Sequence, residues 1–260
     1  MSTQPTLGII GVGELAAAIV DGLALDPERE APTIVLSPRG AATARALAER
    51  HPAVIEIADD NAEVASRAGT LLLAVRPDDL AAALRDVDVP AGTLVISAVA
   101  GVDHGRLREQ LGANPTIVRA IPMPAVRQRA GVTPIHPPDP AAAALFDRLG
   151  GTLAVTEQPA FDALAAITGT VSATLAVLAA IADWAGRQPG LDPSAADAFL
   201  RGIVTGVAGE LHTDEPLAAV AGGHETRGGL NEQLRTDWFD DANRAALDAA
   251  LDRLLRRIRG

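Results

Sequence analysis

The chain of 260 residues contains no cysteine, no tyrosine and no lysine, so that all 22 of its basic residues are arginine. The missing cysteine excludes disulfides, thiolate nucleophiles and cysteine-ligated metals. The missing lysine excludes Schiff-base catalysis and a P-loop phosphate site. The chain also lacks the Tyr/Lys pair with which short-chain dehydrogenases protonate a carbonyl. Its five histidines include no pair at helical ligand spacing, and no metal site is therefore expected.

Positive charge is also scarce, because 33 acidic residues leave a formal net charge of −11. A chain this acidic is not expected to bind nucleic acid. It has no leader in which a basic stretch precedes an apolar one, and a cytoplasmic protein is expected. The uncharged segment Ala163–Ala182 is long enough to cross a bilayer. Its Thr, Ser and Gly residues and the lack of a flanking basic cluster favour a helix buried between subunits, with no membrane partner.

The first motif lies at residues 7–16, where a strand-like run leads into a Gly-x-Gly turn and an Ala-rich helix. Gly11 permits a tight turn, Gly13 lets the backbone approach a pyrophosphate, and Ala16 lets the helix pack close to the strand. The N–H groups at the start of that helix would face the phosphates. This pattern predicts a dinucleotide-binding turn.

Strand-like and helical runs alternate along residues 1–156. This alternation predicts an α/β N-terminal domain with a Rossmann-type doubly wound sheet, a fold that binds dinucleotides. No further strand pattern follows, and an all-α domain for dimerisation and substrate binding is expected over 157–260. Its predicted helices are Pro159–Arg187, Pro193–His212 and Asp240–Arg259. Strands are predicted at Leu7–Ile10, Thr33–Leu36, Val54–Ile57, Thr70–Val75, Thr93–Ala98, Thr116–Arg119, Val132–Ile135 and Thr152–Val155.

The end of the second predicted strand indicates which cofactor is used. NAD enzymes usually carry Asp or Glu there to bind the ribose 2′-hydroxyl. Here the strand is followed by Ser37-Pro38-Arg39. An arginine can pair with a 2′-phosphate, and Ser37 can add a hydroxyl donor. The sequence therefore predicts NADP.

Five short motifs follow one another at the ends of predicted strands and at one helix start: 10–13, 60–63, 74–77, 97–101 and 119–122. Together with a Gly-Gly loop at Thr226–Asn231, their order and spacing resemble the pyrroline-5-carboxylate reductase family. The resemblance covers almost the whole chain. It implies an NADP-dependent imine reductase whose helical domain intertwines with that of a second copy, in a homodimer or a higher oligomer built on dimers.

The resemblance also implies the site residues. Hydroxyl-bearing Thr170 and Thr226 are the expected catalytic residues. The expected substrate-binding residues are Pro122, Met123, Val171, Gly228, Gly229, Leu230 and Asn231. The expected cofactor-binding residues are Gly11, Val12, Gly13, Glu14, Leu15, Ser37, Arg39, Asn61, Ala74, Val75, Arg76, Pro77, Val99, Ala100 and Gly101.

The chain departs from the family in the substrate motifs. It lacks the asparagine that follows the sixth strand in the family, and Leu230 and Asn231 stand where a Thr pair is expected to hold the substrate carboxylate. Asn231 can donate through its amide, so a carboxylate is still expected to bind, with altered spacing. Leu230 makes one wall more apolar and favours a larger or less polar ring. Pyrroline-5-carboxylate is therefore expected to be at best a mediocre substrate.

The missing lysine and tyrosine favour reduction of C=N over C=O, because a cyclic imine can be protonated from water before hydride arrives, whereas a ketone needs a donor for its developing alkoxide. The expected substrate is a small cyclic imine or imino acid, with proline formation as the default. His224 is either a proton donor or a surface histidine. Two other functions stay open: a non-catalytic NADP-binding regulatory protein, and a β-hydroxyacid dehydrogenase, which would need the absent lysine.

Overall fold

The computed structural model describes residues 6–260, which form two compact units that divide between Leu164 and Ala165. The first unit contains one eight-stranded sheet. Its strands are β1 (Leu7–Ile10), β2 (Ile34–Leu36), β3 (Ile55–Ile57), β4 (Thr70–Leu73), β5 (Leu94–Ser97), β6 (Thr116–Ala120), β7 (Thr133–His136) and β8 (Thr152–Ala154). The sheet order is β3-β2-β1-β4-β5-β6-β7-β8. All neighbouring strands are parallel except β6 and β7, which pair antiparallel.

Helices cover both faces of this sheet. They are α1 (Glu14–Ala24), α2 (Ala41–Arg50), α3 (Asn61–Arg67), α4 (Leu80–Ala83), α5 (His104–Leu111) and α6 (Pro140–Asp147). One apolar cluster joins α1, α2 and α6 to one face, and a second joins α3, α4 and α5 to the other. The central strands β1, β2, β4 and β5 are almost wholly apolar because both of their faces are buried, as parallel sheets require. The order reverses at β1 and β4, and ligands bind at such a crevice.

Aspartate side chains begin several helices. The carboxylates of Asp60, Asp103 and Asp139 accept hydrogen bonds from first-turn N–H groups of α3, α5 and α6. Asp192 and Asp240 do the same for two helices of the second unit. A cap of this kind contributes about 1 kcal/mol to a helix. Part of the acidic surplus of the sequence therefore serves to start helices.

A further helix, α7 (Gln158–Ile167), crosses the division between the two units. The second unit is otherwise helical. It contains α8 (Thr170–Gly186), α9 (Pro193–Glu210), α10 (Leu217–Gly223), α11 (Leu230–Trp238) and α12 (Asp241–Arg259). Within it α8 and α9 pack along each other. By length and composition alone, the stretch Gln158–Gly186 is apolar enough to cross a membrane.

The α/β fold class with a helical second part is confirmed, and all eight strands lie within two residues of their predicted bounds. The single helix predicted over Pro159–Arg187 is wrong, because a turn at Thr168–Gly169 interrupts the helix and separates α7 from α8. Helices α10 and α11 were not expected. The compact units divide eight residues later than the expected boundary at 156, because Phe161 and Asp162 of α7 are buried in the first unit.

Candidate functional site

The Gly-x-Gly turn after β1 fits a position that only glycine can fill. Gly11 has φ +98°, and a Cβ placed there would lie 2.7 Å from the carbonyl carbon and oxygen of Ala74. Gly40, with φ +86°, would likewise bring a Cβ to 2.6 Å from the carbonyl oxygen of Val12. The loops after β1, β2 and β4 therefore touch backbone to backbone at the carboxyl edge of the sheet.

The N-terminus of α1 faces open space. Gly13 is its N-cap, has extended backbone, and would carry a Cβ with nothing within 4 Å. Behind the turn, Ala16 is fully buried against the sheet. The Glu14 side chain is 93% exposed, and its nearest cation is Arg127, at 3.8 Å. The open N–H groups and the helix dipole leave room for a pyrophosphate at this place.

The second loop is organised by Ser37, which is fully buried. Its hydroxyl donates to Oδ1 of Asn61 at 2.6 Å and accepts from the backbone N–H of Arg39 at 3.3 Å. Nδ2 of Asn61 in turn donates to the carbonyl of Ala83 at 2.8 Å. The single proton of the Ser37 hydroxyl is therefore used inside the fold, and the residue orients Asn61 and the backbone of Arg39.

Beside this network lies a cavity of about 290 Å³. Its charged lining consists of Arg39 and the carboxylates of Asp59, Asp60 and Asp86. The Arg39 side chain is exposed and makes no hydrogen bond or ion pair with any residue of the described chain. An unpaired guanidinium among three carboxylates is the one group in this lining that attracts a phosphate.

The ends of β4 and β5 supply small residues and backbone. Ala74 and Val75 are half-buried after β4, and Arg76 is exposed and begins a short 3₁₀ turn, Pro77–Asp79. After β5, Val99 is buried while Ala100 and Gly101 are exposed. These positions lie on the edge of the sheet to which the Gly11 turn also belongs.

Arg119, near the end of β6, is a buried cation that belongs to no expected list of site residues. It is only 6% exposed, and its guanidinium carbon lies 4.8 Å from the centre of the Phe161 ring. Its Nη1 atom has no hydrogen-bond partner among residues 6–260. Burial lowers the pKa of Arg119, and the charges of Asp162 and Asp103 act in the opposite direction. The strand then leads to buried Pro122 and half-buried Met123.

Two histidines, His104 and His136, lie near Arg119. His104, at the start of α5, hydrogen bonds through Nε2 to the carbonyl of Ile117 at 3.0 Å. His136 contacts the carbonyl of Val155 through Nδ1 at 2.9 Å, and the two imidazole rings meet edge-on at 5.7 Å. Burial lowers the pKa of His104, an effect that neighbouring Arg119 and His136 increase. Both ring nitrogens that face carbonyls carry protons, since a carbonyl only accepts.

In the helical unit, Thr170 and Val171 begin α8. The hydroxyl of Thr170 donates to the carbonyl of Ile167 at 2.7 Å, and Val171 is 47% exposed. His224 hydrogen bonds through Nε2 to Oε2 of Glu210 at 2.8 Å. Its ring is therefore already paired with a carboxylate on α9.

The Gly-Gly loop joins α10 to α11. Gly229 is the N-cap of α11, and a Cβ there would clash with the hydroxyl of Thr226 at 2.3 Å. Gly228 has φ +73°. Leu230 is 85% exposed, and Asn231 donates from Nδ2 to the carbonyl of His224 at 2.8 Å. The loop is tightly built, and it displays an apolar side chain at the helix start.

The expected cofactor residues of the first unit all lie where strands β1, β2, β4 and β5 end, or at the start of α3. In the helical unit the expected residues fall into two groups, one at the start of α8 and one in the Gly-Gly loop, and no hydrogen bond between described residues joins the two. No sequence pattern indicates that Arg119 is buried, because its contact Phe161 lies far along the chain and only the fold brings the two together.

The chain is similar to known proteins in sequence. Residues 6–101 match a family model described as NADP oxidoreductase, coenzyme F420-dependent. A pyrroline-5-carboxylate reductase from Synechocystis sp. is 31% identical over 217 residues, which cover 80% of this chain and 79% of that protein.

Two solved structures extend this likeness to the fold. A pyrroline-5-carboxylate reductase from Coxiella burnetii superposes with a TM-score of 0.82 at 25% identity, over 99% of this chain and 98% of that one. The Plasmodium falciparum pyrroline carboxylate reductase, solved with NADP bound, has a TM-score of 0.74 at 18% identity and 98% coverage of both chains.

Proposed function

Because the chain belongs to the pyrroline-5-carboxylate reductase family, an NADP-dependent family of oxidoreductases acting on C=N bonds, we propose that it reduces a small cyclic imine or imino acid. Formation of proline or a close analogue is the default reaction. The observation that carries the proposal is the family match over both units, the helical one included. The alternatives of a regulatory nucleotide-binding protein and of a β-hydroxyacid dehydrogenase are not favoured.

The residues of the first unit fit NADP. The space in front of Gly13 and the N–H groups of α1 suit a pyrophosphate, and Gly11 keeps the turn pressed against the end of β4. Arg39 would pair with the 2′-phosphate, while Ser37 holds Asn61 and the Arg39 backbone in place. Residues 74–77 and 99–101 would contact the rest of the cofactor. When bound, NADPH supplies the hydride that adds to the imine carbon.

The chain's own contribution to the chemistry is positioning. The C=N nitrogen takes a proton from water before reduction, and the π electrons of the C=N bond become the nitrogen lone pair when hydride arrives, so the product is a neutral amine. We assign binding of the imine to Pro122, Met123 and Val171 and to the loop of Gly228, Gly229, Leu230 and Asn231. Thr170 and Thr226 are proposed to contact the reacting ring through their hydroxyls.

A homodimer is part of this proposal. Every residue of α8 is at least partly exposed in the single chain, although the helix is strongly apolar. An open groove of about 600 Å³ runs between α8 and α9, and its apolar lining includes Leu175, Leu178, Leu200 and Val204. Burying this surface against a second copy would remove upwards of about 2,000 Å² from water, as obligate dimers do. A second copy that covers α8 also explains why this helix is so apolar, and no membrane is then needed. We therefore propose a cytoplasmic protein.

The direct test is consumption of NADPH by the purified chain with pyrroline-5-carboxylate and a panel of other cyclic imines. We expect saturable turnover of at least one imine and none of β-hydroxyacids with NADP. Tight NADPH binding with no turnover of any imine would favour the regulatory reading and contradict the proposal.

A further inference from the structure

Arg119 lies on the edge of the sheet from which the residues proposed to bind the imine begin. It is paired in register with Ser97, the last residue of β5, and with His136, the last residue of β7. Side chains at paired positions of neighbouring strands project from the same face of a sheet. Strand β6 ends one residue after Arg119, and the chain then reaches Pro122 and Met123. A side chain that holds Arg119 in place therefore also holds the start of this segment.

The ends of β5 and β6 lead into the two segments that the proposed site brings together. After β5, the hydroxyl of Ser97 accepts a hydrogen bond from the backbone N–H of Val99 at 3.4 Å. After β6, the N–H of Ile121 donates to the carbonyl of Pro134 at 3.0 Å. Residues 99–101 are proposed to contact the cofactor and the segment after β6 to contact the imine. The spacing of these two strand ends would thus set how closely hydride donor and acceptor approach.

The guanidinium of Arg119 lies in surroundings that do not favour a charge. The residue is only 6% exposed, and its side chain makes no hydrogen bond or ion pair with any described residue. Burial lowers the pKa of Arg119, and the charges of Asp162 and Asp103 offset this only in part. Burying a charge without hydrogen bonds is unfavourable, and apolar residues often replace buried charges with no loss of stability. The charge of Arg119 is therefore not explained by the stability of the fold.

The close contact of Arg119 is with aromatic rings. Its guanidinium carbon lies 4.8 Å from the centre of the Phe161 ring on α7, which is a cation–π contact. The ring of His136 lies 5.6 Å from that of Phe161, and the ring of His104 meets His136 edge-on at 5.7 Å. Phe161 is only 1% exposed. Because these rings are packed against one another, they fix the place of the guanidinium between β6 and α7.

We propose that Arg119 is a positioning residue of the reductase: through its contact with Phe161 it fixes the end of β6, and with it Pro122 and Met123, relative to the end of β5. This inference rests on the proposed function, which assigns imine binding to Pro122 and Met123. A misplacement of about 1 Å between reacting groups can lower a rate by about a hundredfold. A residue with this role affects turnover more than it affects stability or cofactor binding.

The main test is Arg119→Met, which keeps an unbranched side chain and removes the charge. With a cyclic imine that the wild type reduces, we expect kcat to fall by about tenfold or more. The KM for the imine and the Kd for NADPH should stay within about threefold, because binding of the ground state is largely retained. The melting temperature should stay within about 2 °C of the wild type or rise, since an unpaired buried charge has been removed.

Val118→Ala is the matched control. Val118 precedes Arg119 on β6, and its side chain is fully buried on the opposite face of the sheet. The variant leaves a cavity in the core and should lower the melting temperature by about 2 °C or more. Its kcat should stay within about twofold of wild type. The pair of variants therefore separates a loss of positioning from a loss of stability.

Phe161→Leu tests the same contact without a change at Arg119. Leucine keeps much of the apolar volume but has no π face for the guanidinium. We expect kcat to fall by about threefold or more. The double variant Arg119→Met/Phe161→Leu should lose no more kcat than Arg119→Met alone, because the two residues act through one contact.

The outcomes that count against the proposal are distinct. A kcat of Arg119→Met within about twofold of wild type would overturn it, and so would losses of kcat that multiply in the double variant. An Arg119→Met protein that fails to fold, or melts well below the wild type, would show that Arg119 has a structural role instead. A wild type that reduces no cyclic imine would remove the proposed function, and this role with it.

Discussion

At the scale of single residues, we propose that Arg39 and Ser37 together bind the cofactor phosphate, one directly and one by holding the loop. Arg39 provides an exposed, unpaired charge within the described chain, and buried Ser37 holds the backbone from which that charge extends. The three carboxylates that line the same cavity oppose a phosphate, so the preference for NADPH depends heavily on one side chain.

Replacing Arg39 by alanine should therefore weaken NADPH binding and leave NADH binding almost unchanged. The loss should be about 1.5–3 kcal/mol, or about tenfold to a hundredfold in Kd, the range for a charge-assisted hydrogen bond. Fluorescence titration with both cofactors measures it. Arg45→Ala, which removes an equally positive exposed side chain from α2, is the control. Equal affinity of the wild type for NADPH and NADH would show that Arg39 does not read the 2′-phosphate.

The role of a residue could be predicted from the sequence more fully when it depends on neighbours along the chain than when it depends on residues that only the fold brings close. The Gly11 turn could be predicted because strand, turn and helix are adjacent along the chain. The inward hydroxyl of Ser37 could not, since its partner Asn61 lies 24 residues away and only the fold brings them together. The bond from the Asn231 amide was also not predicted, although its partner, the carbonyl of His224, lies only seven residues away.

At the scale of elements, α1 is held by a buried ionic cluster. Asp21 accepts hydrogen bonds from Arg50, at 2.6 Å, and His51, at 3.0 Å, while Arg127 lies 3.3 Å away. Burial raises the pKa of Asp21, but the hydrogen bonds from His51 and Arg50 outweigh it, and the pKa falls below its ordinary value of 3.8. The cluster ties α1 to the end of α2 and to the 3₁₀ helix Pro124–Gln128.

Asp21→Asn should lower the free energy of unfolding by about 1.5–3 kcal/mol near neutral pH, since it removes hydrogen bonds to charged groups. Because the folded pKa is depressed, this stabilisation is full above about pH 3.8 and is lost as the pH falls through the folded pKa. Urea unfolding at several pH values measures both effects. Asp147→Asn, at an exposed site on α6, should change stability little. A deficit in Asp21→Asn that persists undiminished in strong acid would contradict this account.

Strands and helices could be predicted where a sequence pattern marks both of their ends. The strands are short apolar runs between turn residues, and their pairing in one sheet follows from the β/α alternation. The break between α7 and α8 was hidden, because Thr168 and Gly169 lie within an almost uniformly apolar stretch. The helix α10 is short and ends in glycines, so it carries no amphipathic pattern. The helix α11 does carry an apolar stripe, Leu230, Leu234 and Trp238, but it spans only nine residues and was missed.

At the scale of the whole molecule, the apolar surface of the helical unit requires a cover. Val171, Leu175, Ile181 and Trp184 of α8 are all more than 40% exposed in the single chain. Isolated domains rarely leave so continuous an apolar surface in water. A second copy is the partner that the proposed dimer supplies.

Light scattering at low micromolar concentration should therefore show a dimer, and Leu175→Glu should convert it to monomer. Leu175 is 59% exposed and lines the groove between α8 and α9. Leu25→Glu is the matched control, because Leu25 is 63% exposed but lies at the end of α1. A wild type that is monomeric, folded and active would refute the dimer, and co-purification with membranes would indicate that α8 enters a bilayer instead.

Hydride transfer from NADPH to the carbon of a C=N bond is the reaction on which the whole assignment depends. It is measured most directly with NADPH deuterated at its transferable position, a cyclic imine that the enzyme turns over, and mass spectrometry of the amine. We predict that the amine carries one deuterium at the former imine carbon, in an amount equal to the NADPH consumed. Consumption of NADPH with no deuterium in the amine, or no amine at all, would contradict an imine reductase.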